Sequence, residues 1–277
     1  MEEIVSLVDQ FSKLPNRPKV GLSLAGGAAR GIAHIGVLKF FEEIKLPIDL
    51  IVGTSAGAIA GGVWACGVSS AKMYRLAKNT EWWFLARPVA FKSGLLSSQG
   101  IENWVRRIIR ERTFTDLDIE LAVTATDFLT GELVVIKEGD VARAVRISST
   151  VPGVYEPVLH EGRPLVDGGL VQNLPAEVGR ALGADFLIGV DLHSDVLENE
   201  VPKTVLWSMV HAINILQRQH EIIQAQLVDV LIQPKVGDHS AVNFKVVDDL
   251  TEEGYLAAKA ILAQLKNKLK EIIGGTT

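Results

Sequence analysis

The chain has few of the residues that would mark it as secreted, redox-active or nucleic-acid-binding. Only one cysteine, Cys66, occurs among 277 residues, so no internal disulfide can form and nothing favours secretion. Lys and Arg number 28 against 33 Asp and Glu, and no basic stripe carries interleaved aromatic residues. No nucleic-acid partner is therefore expected. The start, Met1-Glu2-Glu3-Ile4, has no basic region followed by an apolar core, so no signal peptide is expected.

The sequence also lacks an uninterrupted hydrophobic run long enough to cross a membrane. The longest nearly uncharged stretch, residues 50–68, contains five glycines, which favours a buried strand, turn and helix over a membrane span. Hydrophobic residues make up 48% and charged residues 22% of the chain, an ordinary globular balance. A soluble cytoplasmic protein with a full-sized core is expected.

Apolar strands alternate with amphipathic helices along the chain, and this order predicts an α/β fold with a mainly parallel central sheet. A short N-terminal helical extension, residues 1–18, is expected before a single domain, residues 19–277. The predicted strands are 20–24, 50–52, 120–126, 133–137, 186–190 and 229–233, and residues 165–169 are expected to end a further short strand in a turn. The predicted helices are 29–44, most of 69–112, 140–149, 176–182, 203–226 and 252–270.

The most informative motif is Gly53-Thr54-Ser55-Ala56-Gly57, which lies between a predicted strand and a predicted helix. Gly-x-Ser-x-Gly in that context is the signature of a nucleophile elbow, in which a sharp turn exposes the serine hydroxyl. The helix that follows directs free N–H groups towards any oxygen that becomes negative nearby. The motif therefore indicates acyl-transfer chemistry at Ser55.

A second turn, Ala25 to Gly31, is rich in glycine and also joins a strand to a helix. No Gly-Lys-Ser/Thr follows it, so it is not a Walker loop, and Gly26-Gly27-Ala28 fits a dinucleotide fingerprint poorly. Adjacent parallel strands would bring this turn beside Ser55, which favours an oxyanion hole over a purely structural turn.

A nucleophilic serine needs a proton acceptor, and the residues by themselves leave three candidates. His193 and His239 each follow a late strand, where the histidine of a Ser–Asp–His triad would lie, although solvated loop histidines are the favoured interpretation. Asp167 ends a short apolar strand and is followed by Gly168-Gly169, which leaves its carboxylate open to a neighbour. Asp-Gly-Gly is explained equally well as a simple turn.

Four ordered motifs resemble those of the patatin-like phospholipase family, in particular its bacterial branch similar to the catalytic domain of neuropathy target esterase. They are the turn Gly26–Gly31, the elbow Gly53–Gly57, the block Ser148-Ser149-Thr150-Val151-Pro152-Gly153 and Asp167-Gly168-Gly169. The resemblance implies a three-layer α/β/α patatin-like fold, Ser55 as nucleophile and Asp167 as the sole base. It also implies no catalytic histidine, no metal and no cofactor.

The resemblance further assigns the supporting residues. Gly26, Gly27 and Ala28 would line the oxyanion hole, with Ala28 standing where the family often has a third glycine. The motif-supporting positions are Arg30, Gly31, Gly53, Gly57, Gly168 and Gly169.

The expected function is a serine esterase that releases fatty acid from lipid esters through an acyl-enzyme. Its partner would be a lipid ester such as a phospholipid or lysophospholipid, with transient contact at a membrane surface. Two alternatives stay open: a Ser–Asp–His hydrolase that uses His193 or His239, and a non-catalytic regulatory protein on the same fold.

Two further features have competing interpretations. Trp82-Trp83-Phe84, near Arg87 and Lys92, would form a lid or an interfacial lipid contact, or, as the favoured reading, pack a helical cap onto the core. Cys66, on the helix after Ser55, is expected to be a small core residue.

Overall fold

The structure is a computed structural model, and it describes residues 1–80, 87–88, 94–193 and 204–275. The helices are α1 (Glu2–Ser12), α2 (Ala33–Ile44), α3 (Ala56–Ala65), α4 (Ser70–Asn79), α5 (Gln99–Ile109), α6 (Val141–Ser148), α7 (Ala176–Ala181), α8 (Val205–Gln224), α9 (Val247–Ala260) and α10 (Leu262–Gly275). The strands are β1 (Val20–Leu24), β2 (Leu50–Gly53), β3 (Arg87–Pro88), β4 (Gly94–Ser97), β5 (Glu120–Asp127), β6 (Leu133–Ile136), β7 (Gly153–Tyr155), β8 (Val158–His160), β9 (Arg163–Asp167), β10 (Phe186–Val190) and β11 (Val230–Ile232).

A central sheet of eight strands carries the site. Its order within the described ranges is β11-β10-β1-β2-β5-β9-β8, with β6 also paired to β5. The run from β11 to β5 is parallel, whereas β6, β8 and β9 pair antiparallel with their neighbours. The predicted α/β class with a mainly parallel sheet is confirmed.

The strand register brings the two predicted turns and Asp167 to one end of the sheet. Leu24 of β1 pairs with Gly53 of β2, so the turns that follow these two strands start side by side. Gly53 in turn pairs with Val123 of β5, and β5 continues beyond the end of β2. Strand β9 returns along this extension, where Asp167 pairs with Ala125. Asp167 therefore lies just past the end of β2.

Alternate side chains of the parallel strands are buried on opposite faces of the sheet, as a period of two requires. Phe186, Ile188 and Val190 of β10 join the larger core, and Leu187 joins a smaller one. Helices α2, α3 and α6 contribute to the larger core, whereas α7 contributes to the smaller. Helices thus cover both faces, which confirms the expected three layers.

Helix α1 packs against α2 and α10 and buries Ile4, Val8 and Phe11. The division into an extension and one domain stays a prediction. Within the described ranges, no helix combines the length and the apolar character that crossing a bilayer requires.

Several predicted elements differ from those observed. The segment 69–112 contains, besides α4 and α5, a small sheet in which β4 pairs with β3 and β7. Strands of two to four residues are too short to give a detectable period. The helix predicted over 252–270 is two helices that meet at Ile261, because α9 packs on α2 whereas α10 packs on α1.

Two other expectations concern the region after Ser55. Trp82-Trp83-Phe84 and Lys92 lie outside the described residues, so their role stays a prediction. Cys66 follows the last residue of α3 and is half-buried against the larger core, close to the expected core position. Burial raises the pKa of its thiol to about 11, which keeps it protonated at neutral pH.

Candidate active site

Ser55 occupies a sharp turn between β2 and α3, as the elbow motif predicts. Its backbone has φ 52° and ψ −119°, a conformation that is strained for a residue with a side chain. The glycine two residues later is required by packing, since a Cβ on Gly57 would lie 2.1 Å from the carbonyl oxygen of Leu24. The motif therefore lets α3 approach β1 closely while Ser55 turns out of the sheet.

The block Ser148-Ser149-Thr150 braces both Ser55 and Asp167. The backbone N–H of Ser55 donates to the Ser148 hydroxyl at 2.8 Å, and the Ser149 hydroxyl donates to the Ser55 carbonyl at 3.3 Å. One residue further on, the Thr150 carbonyl accepts the backbone N–H of Asp167 at 2.9 Å. Three consecutive residues thus fix the backbone on either side of the site.

Asp167 is buried, with 6% of its surface exposed, and it lines the same cavity as Ser55. The backbone N–H of Gly169 donates to the Asp167 carboxylate, at 2.8 Å. Burial raises the pKa of Asp167 to about 6, although the neighbouring Ser55 side chain and the Gly169 N–H act in the opposite direction. A carboxylate in this state is a stronger proton acceptor than an exposed one.

The glycine-rich turn lies directly against the elbow, because a Cβ on Gly26 would be 3.0 Å from Cβ of Ser55. The backbone N–H of Gly26 donates to the Asn173 carbonyl over 3.4 Å. Within the described ranges, no protein acceptor pairs with the N–H groups of Gly27 and Ala28. These two groups stand at the start of a short 3₁₀ helix, Ala28–Ile32, where free N–H groups are expected.

Ala28 adopts φ 50°, in the left-handed region that favours glycine. Gly31, three residues after Ala28, has no room for a side chain, because a Cβ at this position would lie 2.3 Å from Cβ of Ala56. The turn therefore tolerates a small side chain at Ala28 but none at Gly31.

Ser55 and Asp167 face a cavity of about 250 Å³, which also reaches Gly27 and Ala28. Its other walls come from the segment 151–155, from α8 and from the segment 241–244. Arg30 lines the same cavity and donates from Nε to the His239 carbonyl at 2.8 Å. The elements that close the cavity are thus distant in sequence from the motifs that line its base.

The histidines considered as triad members have different environments. His193 lines the cavity, and its Nδ1 lies 2.9 Å from Oε1 of Glu221. His239 contributes its carbonyl to Arg30 and is not among the residues that line the cavity. His34 is a core residue: its Nε2 is 2.8 Å from the Ala25 carbonyl, and burial lowers its pKa to about 4.

A buried polar network behind the cavity escaped the sequence analysis. The Asn173 side-chain amide contacts Nδ1 of His193 at 3.1 Å and also donates to Glu221 and to the Gly26 carbonyl. The members lie 20 and 28 residues apart along the chain, so no local spacing connects them. This network links α8 to the glycine-rich turn.

Asp191, His193 and Glu221 also offer ligand atoms that all lie within 4.8 Å of one another. Hydrogen bonds already give these atoms partners, since Asp191 accepts from the His193 backbone N–H at 2.8 Å and from Gln233 at 3.2 Å. Burial, together with the neighbouring Glu221, raises the pKa of Asp191. The hydrogen bonds account for the arrangement without requiring an ion.

A serine at a strand–turn–helix elbow on a mainly parallel sheet defines an α/β protein of the nucleophile-elbow class. Residues 22–179, more than half of the chain, match the sequence profile of the patatin-like phospholipase family. The chain belongs to this family.

Curated relatives with similar sequences are much longer proteins. Lysophospholipase nte1 of Emericella nidulans is 28% identical in an alignment of 286 positions that covers 90% of this chain and 18% of the relative. Patatin-like phospholipase domain-containing protein 6 of Homo sapiens is 32% identical in an alignment of 188 positions that covers 63% of this chain and 13% of that protein. The chain therefore spans less than a fifth of the length of these relatives.

Solved structures support the fold. VipD from Legionella pneumophila superposes with a TM-score of 0.60 at 15% identity, covering 91% of this chain and 67% of that one. The type III effector protein ExoU gives a TM-score of 0.52 at 15% identity over 94% of this chain and 54% of its own.

Proposed function

We propose that this protein is a serine hydrolase that releases fatty acid from lipid esters of the phospholipid or lysophospholipid kind. The observation that carries the proposal is that Ser55, on a strained strand–turn–helix elbow, and the buried Asp167 carboxylate line the same cavity. The names of the curated relatives, lysophospholipase and patatin-like phospholipase, support the substrate class.

In the proposed reaction, Ser55 Oγ attacks the ester carbonyl while Asp167 accepts the hydroxyl proton. Gly26, Gly27 and Ala28 form the oxyanion hole, and the N–H groups of Gly27 and Ala28 are the donors without a protein partner in the described structure. Each such donor typically contributes about 3 kcal/mol to stabilising the transition state. Asp167 then returns the proton to the departing alcohol, leaving an acyl-enzyme.

Water completes the cycle through the same two residues. Asp167 accepts a proton from the water that attacks the acyl-enzyme, and the proton returns to Ser55 as the fatty acid departs. This scheme uses the Ser–Asp dyad with no histidine, metal or cofactor. Arg30, Gly31, Gly53, Gly57, Gly168 and Gly169 hold the turns that carry the reacting groups.

A fluorophosphonate probe, which labels activated serines, tests the proposal directly. Wild-type protein should be labelled and should hydrolyse a chromogenic ester, whereas Ser55→Ala and Asp167→Asn should lose both properties. Ser12→Ala is the matched control, because Ser12 lies on α1 and does not line the cavity. Labelling of Ser55→Ala, or full activity of Asp167→Asn, would contradict the proposal.

A triad that includes His193 is the second candidate, since His193 lines the same cavity and its Nδ1 faces Glu221. His193→Ala separates the two mechanisms. Under the dyad mechanism, His193→Ala retains hydrolysis and Asp167→Asn does not. Under a triad mechanism, both of these variants lose activity.

Cytoplasmic location and transient contact with a membrane surface complete the proposal. The single cysteine supports the location. One face of α8 lines the cavity, and another exposes Met209, Leu216 and Ile223 at intervals of seven residues. An exposed apolar face on a helix that lines the cavity suits a lipid surface.

Sedimentation with phosphatidylcholine vesicles tests the contact. Leu216→Glu should weaken binding to the vesicles, while Gln219→Glu, which adds the same charge at another exposed position of α8, should weaken it less. A change in oligomeric state instead would assign this face to a second copy of the chain.

A further inference from the structure

A second cavity, of about 80 Å³, lies beside the first and is lined only by apolar residues. Ala28 and Phe244 line both cavities, so the second begins where the proposed oxyanion hole ends. The indole N–H of Trp104, in its wall, is satisfied by the Thr80 hydroxyl at 3.1 Å. The cavity therefore offers a ligand no hydrogen-bonding group of that side chain.

The cavity follows α3 away from the nucleophile. Ala56, adjacent to Ser55, lines its near end, and Ala60 and Val63 line it one and two turns further along. The rise of an α-helix over these seven positions is about 10 Å. Small side chains at Ala56 and Ala60 leave the space open between α3 and Leu76 of α4.

An apolar cavity of this kind holds hydrocarbon better than water. Its volume is several times the roughly 10–15 Å³ that one water-sized probe needs, yet it has too few polar partners to order water. We infer that this cavity binds the acyl chain of the ester, and that Ala60 and Val63 determine how long a chain is accepted. The inference rests on the proposed function, because it places the chain relative to Ser55.

The geometry fits an acyl chain attached to Ser55. The ester carbonyl would lie between Ser55 Oγ and the N–H groups of the glycine-rich turn. A chain leaving that carbonyl meets Ala28 and Phe244, the two residues shared by both cavities. It then runs past Ala60 before it reaches Val63, so the two positions act at different depths.

Chain-length profiles of two filled variants test the inference. p-Nitrophenyl esters from butyrate to palmitate would be compared for wild type, Ala60→Phe and Val63→Phe. We expect both variants to lower the ratio of long-chain to short-chain kcat/KM by about tenfold or more. The longest acyl chain that is hydrolysed efficiently should be shorter for Ala60→Phe than for Val63→Phe. The reason is that position 60 lies about 4.5 Å nearer to the nucleophile along α3.

Two further variants serve as controls for the effect of cavity size and for the effect of added bulk elsewhere on the protein. Val63→Ala enlarges the cavity and should shift the profile towards longer chains. Ala71→Phe adds the same bulk at an exposed position of α4 and should give the wild-type profile. Thermal melting of every variant establishes that it is folded.

The outcomes separate the inference from the proposed function. Wild-type protein that hydrolyses no ester of any length would contradict the proposed function itself. Active variants with an unchanged chain-length profile and raised Tm would show that the cavity is only a packing void, which overturns the inference alone.

Discussion

Asp167 is the residue whose environment sets the pH response of the proposed reaction. Only the ionised carboxylate accepts the Ser55 proton, and burial raises its pKa to about 6. We therefore expect kcat/KM to fall about tenfold for each pH unit below this value and to level off above neutrality. Hydrolysis of an uncharged ester as a function of pH gives the measurement. A break at the ordinary pKa of an exposed carboxyl would contradict the assigned environment.

The same raised pKa has the opposite consequence for stability. In the unfolded chain the carboxyl titrates near 3.8, so above about pH 6 the folded state holds a charge that burial disfavours. Asp167→Asn should therefore raise the free energy of unfolding at pH 8 by as much as about 3 kcal/mol. This advantage should shrink as the pH falls through 6 and vanish below the unfolded-state pKa. Urea unfolding at several pH values measures it, and a pH-independent difference would rule out this origin.

The positions of Ser55 after β2 and of Asp167 at the end of β9 are predictable from the sequence, whereas their surroundings are not. The elbow and the Asp-Gly-Gly turn are local patterns, so their residues identify them without knowledge of the fold. The strain at Ala28 was not predictable, because its positive φ depends on how the turn packs against α3. The pKa of Asp167 likewise depends on burial by distant elements.

At the scale of secondary structure, the last residue of α6 and the two residues after it contact the backbone of both reacting groups. Ser148→Ala would leave the backbone N–H of Ser55 without its acceptor and loosen the elbow. We expect kcat/KM for a short ester to fall by about tenfold to a hundredfold, since small displacements of a reacting group have effects of this size. Ser148→Thr, which keeps the hydroxyl, should recover much of the activity. Equal loss in both variants would point to packing instead.

The elements that the sequence predicted best are strands that are buried along their whole length. The strands β1 and β10 have the predicted bounds, because each is buried on both faces and reads as a continuous apolar run. The short strands β3 and β7 carry no such signal, and their pairing with β4 depends on contacts formed in the folded chain. Tertiary packing also explains the break at Ile261.

For the molecule as a whole, the N-terminal helix contributes stability through its buried apolar side chains, of which Phe11 is the largest. Phe11 of α1 is fully buried in the larger core, whereas Glu3 pairs with Lys266 and Lys270 at the surface. Phe11→Ala should lower the free energy of unfolding by about 3–5 kcal/mol. Glu3→Gln should change it little, because exposed ion pairs contribute little. Denaturant unfolding measures both, and equal effects would contradict this assignment.

The strand topology was enough to predict which turns meet at the site, but it did not predict which residues form the walls of the cavity. A parallel pairing of β1 with β2 was enough to predict that the glycine-rich turn and Ser55 would meet. The contributions of α8, of Phe244 and of the Asn173–Glu221 network arise from later parts of the chain that fold over the sheet edge. Their residues carry no motif, so only the structure identifies them.

The three hydrogen bonds of Ser148, Ser149 and Thr150 make nucleophile and base a single mechanical unit. Because one tripeptide holds both backbones, we expect the separation of hydroxyl and carboxylate to be kept when the sheet twists or an outer helix shifts. We therefore expect substitutions in the strands and outer helices to leave the relative position of the two reacting groups unchanged. An engineer who wishes to transplant this site would have to carry over that tripeptide along with the elbow and the aspartate.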